Sequence, residues 1–195
     1  MCNDKAFISE WRRVYNTGKS ILRSTVQAPN HQKGAMNTPV TRLRLGISAC
    51  LLGQSTRYDG GHKLDAFLRD TLGAQFELVP LCPEVEAGFG VPREAMRLGG
   101  DAPDVRLVTR RTRRDMTEKM ESWAERRVTE LEKEKLAGFI FKSRSPSCAV
   151  HGGAVGLFAR AFMERFPQLP VEEDERLHDD ALRAAFLGKL LAAGR

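Results

Sequence analysis

The feature that most constrains this chain is a change of pattern at residue 43. From there, short apolar runs alternate with stretches whose apolar residues recur every three or four positions. The runs are Leu43 to Ala49, Phe76 to Leu81 and Phe139 to Phe141, with a weaker one at Val105 to Thr109. The periodic stretches hold Met116, Met120, Trp123, Ala124, Val128 and Leu131, then Val155, Phe158, Ala159, Phe162 and Phe166. A short continuous apolar run reads as a buried strand, and three-four spacing as one face of a helix. Asp115 and Glu118 stand at capping-box spacing before the first long helix, and Pro167 closes the second. A short helix from Asp65 is stopped by Gly73, and a last one runs from about Asp179 to Ala192. Strands alternating with helices predict an α/β fold: a three-layer Rossmann-like domain with a mostly parallel sheet covered on both faces.

Residues 1–41 read differently. Periodic apolar positions are few beyond a short helical stretch from Lys5 to Tyr15, and Pro29, Gly34, Asn37 and Pro39 interrupt the end. They are expected to form a mobile N-terminal extension, with Met36 as an alternative start, ahead of a domain spanning 42–195. Asn16-Thr17-Gly18-Lys19-Ser20 ends like a phosphate-binding loop, but Arg13 stands where the first glycine should be and no strand precedes it. The net charge of +6 is mostly local: the extension carries +4 and the remaining 154 residues only +2. So balanced a domain lacks the clustered basicity of a nucleic-acid binder, apart from Arg110, Arg111, Arg113 and Arg114, read as a solvated turn. No apolar run approaches the roughly 20 residues of a membrane helix, and Met1 to Ser9 has no apolar signal core, so a cytoplasmic location is expected.

The chemistry lies in the cysteines. Cys2 falls in the extension, far from any strand. Cys50 ends the first strand, Cys82 ends the second, and Cys148 follows Phe139 to Phe141; their separations of 32 and 66 residues make no local motif. In open parallel sheets, ligands bind outside the carboxyl ends of the strands, and three cysteines are predicted to converge there. Three thiolates suit a catalytic zinc with an open fourth position, or an iron–sulfur cluster with one iron not held by cysteine. No Cys-x-x-Cys or His-x-Glu accompanies them, as zinc hydrolases and deaminases usually require. A cluster carrier normally has four protein ligands, so a missing fourth points toward catalysis. Glu84, two residues after Cys82, is in reach of a molecule bound at such a site.

Three blocks carry a resemblance. They are Ser48-Ala49-Cys50-Leu51-Leu52-Gly53 with Arg57-Tyr58-Asp59-Gly60-Gly61-His62-Lys63, then Leu81-Cys82-Pro83-Glu84-Val85 with Gly88, Gly90 and Pro92-Arg93, and finally Lys142-Ser143-Arg144-Ser145-Pro146-Ser147-Cys148. In this order they resemble the thiouracil desulfurase (TudS-like) family over roughly residues 43 to 190. Where that family usually has glycine after the third cysteine, this chain has Ala149. The resemblance implies a [4Fe–4S] cluster on Cys50, Cys82 and Cys148, whose open iron takes the sulfur of a thiolated pyrimidine in a desulfuration without net redox change. Glu84 is then the candidate base for water and Ser143 a proton relay or orienting group. Ser147, Lys63 and the Gly60-Gly61 turn are candidates for holding substrate. The expected substrate is a small thiolated base or nucleoside; a thiouridine desulfurase acting on tRNA is the alternative, and related proteins with that activity carry an additional C-terminal domain.

Overall fold

The computed structural model describes residues 42–100 and 104–193. The extension, its short helix, Met36 and Cys2 lie outside the described residues. In chain order the main elements are β1 (Arg44–Ser48), β2 (Glu77–Leu81), α1 (Pro83–Glu86), β3 (Met96–Gly99), β4 (Arg106–Thr109), α2 (Thr117–Leu131), β5 (Leu136–Phe141), α3 (Leu157–Arg165), β6 (Val171–Glu173) and α4 (Asp180–Ala193). The expected short helix after Asp65 is a π-helical segment, Phe67–Leu72.

The central sheet has the order β2-β1-β5-β6, and every pairing is parallel. Register aligns the strand ends: Ser48 stands opposite Leu81, Ile47 opposite Ile140, and Phe141 opposite Glu173. β5 is buried at all six positions, as a central parallel strand covered on both faces must be. On one face Phe139 and Phe141 stack at 4.3 Å and meet Phe158 and Phe162 of α3, with Met120, Trp123 and Val128 of α2 in the same cluster. Leu45, Ile47 and Ile140, all fully buried, face the other side with Gly138. There α4 crosses so closely that a Cβ on Gly138 would lie 2.5 Å from Leu190. This is the expected three-layer α/β architecture.

Two strand assignments change. Val105 to Thr109 is a strand but not part of the sheet: β4 pairs antiparallel with β3, and this hairpin packs Met96 and Leu107 onto the core. The fourth sheet strand is β6, a three-residue strand beside β5. The capping box is also incomplete: Asp115 Oδ1 accepts the Thr117 N–H at 2.8 Å, while Glu118 stays exposed. Among the described residues, no helix is long and apolar enough to cross a membrane.

Candidate active site

Each cysteine follows a sheet strand. Cys50 sits in the 3-10 turn Ala49–Leu52 after β1, and the loop that follows folds back so that the Lys63 N–H donates to the Cys50 carbonyl at 2.9 Å. Cys82 lies between β2 and α1, and its thiol donates to the Thr56 carbonyl at 3.7 Å. Cys148, the most buried of the three, lies in the segment between β5 and α3. All three line one cavity of about 240 Å3. Burial, with Cys82 nearby, pushes the Cys50 thiol up to about 11. Burial also raises the Cys82 and Cys148 thiols. Among the described residues, no group of three His, Cys, Asp or Glu side chains is placed to hold a single metal ion.

The Cys148 loop is locked to α3. The Leu157 N–H donates to the Pro146 carbonyl at 3.3 Å, and the Phe158 and Ala159 N–H groups donate to the Ser147 carbonyl at 3.1 Å. These bonds satisfy donors that a helix start leaves open. Gly156 makes the approach possible, because a Cβ there would stand 2.4 Å from Ser147 C and 2.5 Å from Cys148 N. Backbone atoms cannot swing aside, so Gly156→Ala should cost about 1–3 kcal/mol. It should lower the urea midpoint and speed reaction of Cys148 with a thiol reagent. Ala149 is not among the residues with positive φ, so alanine fits the position where glycine is usual.

Glu84 and Ser143 also line the cavity. Glu84, on α1, is held by Arg93 from Nε at 2.7 Å and Nη2 at 2.6 Å, both to Oε2, and by the Ser147 hydroxyl to Oε1 at 3.0 Å. Ser147 is thus fully buried behind Glu84 and is not on the cavity wall. Gly60, Gly61 and Lys63 are not on the wall either; they shape the loop after Cys50, with Gly60 N–H on the Arg57 carbonyl and Arg57 N–H on that of Gly61. Arg93 matters more than its place in the motif announces, since it also reaches the Gly90 and Thr56 carbonyls at 2.8 and 3.0 Å. The acidic residues of β6 and just after it are tied locally. Glu172 meets Arg176 and His151, Glu173 takes the Val150 and His151 N–H groups, Asp174 meets Lys142 and Ser143, and Glu175 meets Arg144.

The chain is thus an α/β protein whose parallel sheet carries three thiols, a carboxylate and a serine around one cavity. The 2-thiouracil desulfurase family model matches residues 45–174, and the chain belongs to that family. Protein YbbK of Bacillus subtilis (strain 168), itself described only as uncharacterized, is 32% identical over 108 residues, which are 52% of this chain and 70% of YbbK. Among solved structures, the [4Fe-4S]-dependent thiouracil desulfidase TudS is similar with a TM-score of 0.59 and 26% identity, over 74% of this chain and 99% of that one. The chain is thus an enzyme of the thiouracil desulfurase type.

Proposed function

We propose that this chain removes sulfur from a small thiolated pyrimidine such as 2-thiouracil, leaving the oxo form, with a [4Fe–4S] cluster held by Cys50, Cys82 and Cys148. The observation that carries the reading is that these three cysteines share one cavity with Glu84 and Ser143. The donor set fits: a single zinc needs every donor about 2.3 Å from one point, whereas a cluster takes each thiolate on a different iron. When bound, the cluster supplies a soft iron without a protein ligand, which suits a thiocarbonyl sulfur and makes its carbon more electrophilic.

The side chains do the rest. Arg93 occupies Glu84 Oε2 and Ser147 takes one lone pair of Oε1. A carboxylate oxygen has two lone pairs, so Oε1 keeps one for a water whose proton it removes. The water oxygen bonds to the thiocarbonyl carbon, the bond to sulfur breaks, and the sulfur departs with water's two protons as hydrogen sulfide, so no electrons enter or leave. Ser143, on the same wall, orients the ring.

Anaerobic iron and sulfide should load about four irons per chain, the content of a [4Fe–4S] centre. Serine at position 50, 82 or 148 should abolish stable loading, while Cys2→Ser should not. Loaded protein should release sulfide and uracil from 2-thiouracil. Normal loading of Cys82→Ser would overturn the ligand assignment. One observation favours an RNA-borne thiouridine as a second reading: Arg110 lines the cavity, and Arg111, Arg113 and Arg114 beside it are exposed. A salt-dependent gel shift with thiolated tRNA separates the two.

A further inference from the structure

We propose that Lys142, clamped by Asp174, is a positioning residue that turns the Ser143 hydroxyl into the cavity as a hydrogen-bond donor to the substrate ring. This rests on the reading of the cavity as the desulfuration site. Lys142 and Ser143 both line it. Lys142 Nζ donates to Ser143 Oγ at 2.7 Å and to Asp174 Oδ2 at 2.9 Å. An ammonium has donors and no acceptor, so Ser143 Oγ accepts in that contact. Its own proton is not spent there, and among the described residues no acceptor takes it. The cavity is the side left open, so a molecule bound there meets Ser143 as a donor.

The surroundings hold this direction. Asp174 follows β6, and its N–H donates to the Phe141 carbonyl at the end of β5, at 3.0 Å. Its two oxygens divide the work: Oδ2 takes the ammonium, and Oδ1 takes the Ser143 backbone N–H at 2.7 Å. Lys142 is fixed from the other side by its own N–H on Ser48 Oγ at 2.9 Å. The Lys142 and Asp174 side chains are only 13% and 9% exposed, so water does not compete strongly for either charge. Attack of water on the thiocarbonyl carbon moves the C=S electron pair onto sulfur and returns to the flanking ring nitrogens the lone-pair density they had shared with the thiocarbonyl. A preset hydroxyl dipole stabilises that density without reorganising, and no bond at Ser143 is made or broken.

The test uses the full chain, loaded anaerobically. Lys142→Ala should take up iron like wild type and bind 2-thiouracil, followed by difference absorbance, with little change in Kd. It should turn over about tenfold to a hundredfold more slowly, the range for one lost charge-assisted hydrogen bond. Ethylammonium should restore rate where propanol at equal concentration does not. In a Ser143→Ala background, Lys142→Ala should cost nothing further, because the two act as one unit. Should Lys142→Ala fail to fold, Lys142→Met with Asp174→Asn removes both charges together and enters the same cycle. A full second loss on top of Ser143→Ala, or equal rescue by propanol, overturns the proposal. A wild-type rate for Ser143→Ala overturns it as well by removing Ser143 from the reaction. A loaded wild-type chain that leaves 2-thiouracil unchanged overturns the function itself, which keeps the two failures distinct.

Discussion

Glu84→Gln should load iron and bind 2-thiouracil normally, yet desulfurate it about 10²–10⁴-fold more slowly, the range for loss of a general base. The substitution keeps the hydrogen-bond pattern but leaves the nearly buried Arg93 charge without its counter-ion, so it should also cost stability. Arg93 donates twice to one oxygen of Glu84, so the glutamine carbonyl belongs there and its amide nitrogen falls toward Ser147. The Ser147 hydroxyl can reverse its role and accept. Shape is therefore kept, and what is lost is the negative charge: the capacity to take a proton from water and the charge pairing of Arg93. The measurement is single-turnover conversion of 2-thiouracil by fully loaded wild-type and variant protein. A rate near wild type would remove Glu84 from the chemistry and leave it as a structural partner of Arg93.

Arg93→Met should destabilise the metal-free chain by about 3–5 kcal/mol, the cost of leaving one charge of a nearly buried pair alone. The Arg93 and Glu84 side chains are only 7% and 12% exposed. The variant also strips a donor from the Gly90 and Thr56 carbonyls, and Thr56 is the residue whose carbonyl the Cys82 thiol reaches. Urea unfolding measures the loss. Adding Glu84→Gln to Arg93→Met removes the orphaned charge, so the double variant should regain much of the stability while staying as inactive as Glu84→Gln alone. A single-variant loss below about 1 kcal/mol would class the pair with solvent-screened surface bridges.

What could be read from the chain beforehand follows from which residues signal their own environment. β1, β2 and β5 did so through short continuous apolar runs, and the long helices through apolar residues repeating every three or four positions. β6 did not: Val171-Glu172-Glu173 reads as a polar loop, and it is buried only because Arg176, His151 and backbone N–H groups satisfy its carboxylates. β4 was legible as a strand but not in its pairing, because its partner Met96-Arg97-Leu98-Gly99 is only four residues long and is interrupted by the charge of Arg97. At the site, the cysteines, Glu84 and Ser143 were visible from their places after strands and in the family blocks. The contacts that aim them were not. Arg93 meets Glu84 nine residues away around a loop, and Lys142 meets Asp174 across 32 residues only because β6 lies beside β5. Ser147, which looked like a substrate contact, is separated from the cavity by the carboxylate it supports.

The seam between α4 and the sheet bears on solubility. The matched family stretch ends at residue 174, just after β6, and so includes every candidate site residue but not α4. Leu190 of α4 fills the notch above Gly138, on the face that also holds Leu45, Ile47 and Ile140. A fragment cut after the matched stretch would keep every candidate ligand and base but uncover the apolar side of β5 around Gly138 that Leu190 now covers. Such a face seeks another surface. That fragment should precipitate or self-associate rather than stay monodisperse, so expression trials that trim the chain to its family boundaries should keep the last helix.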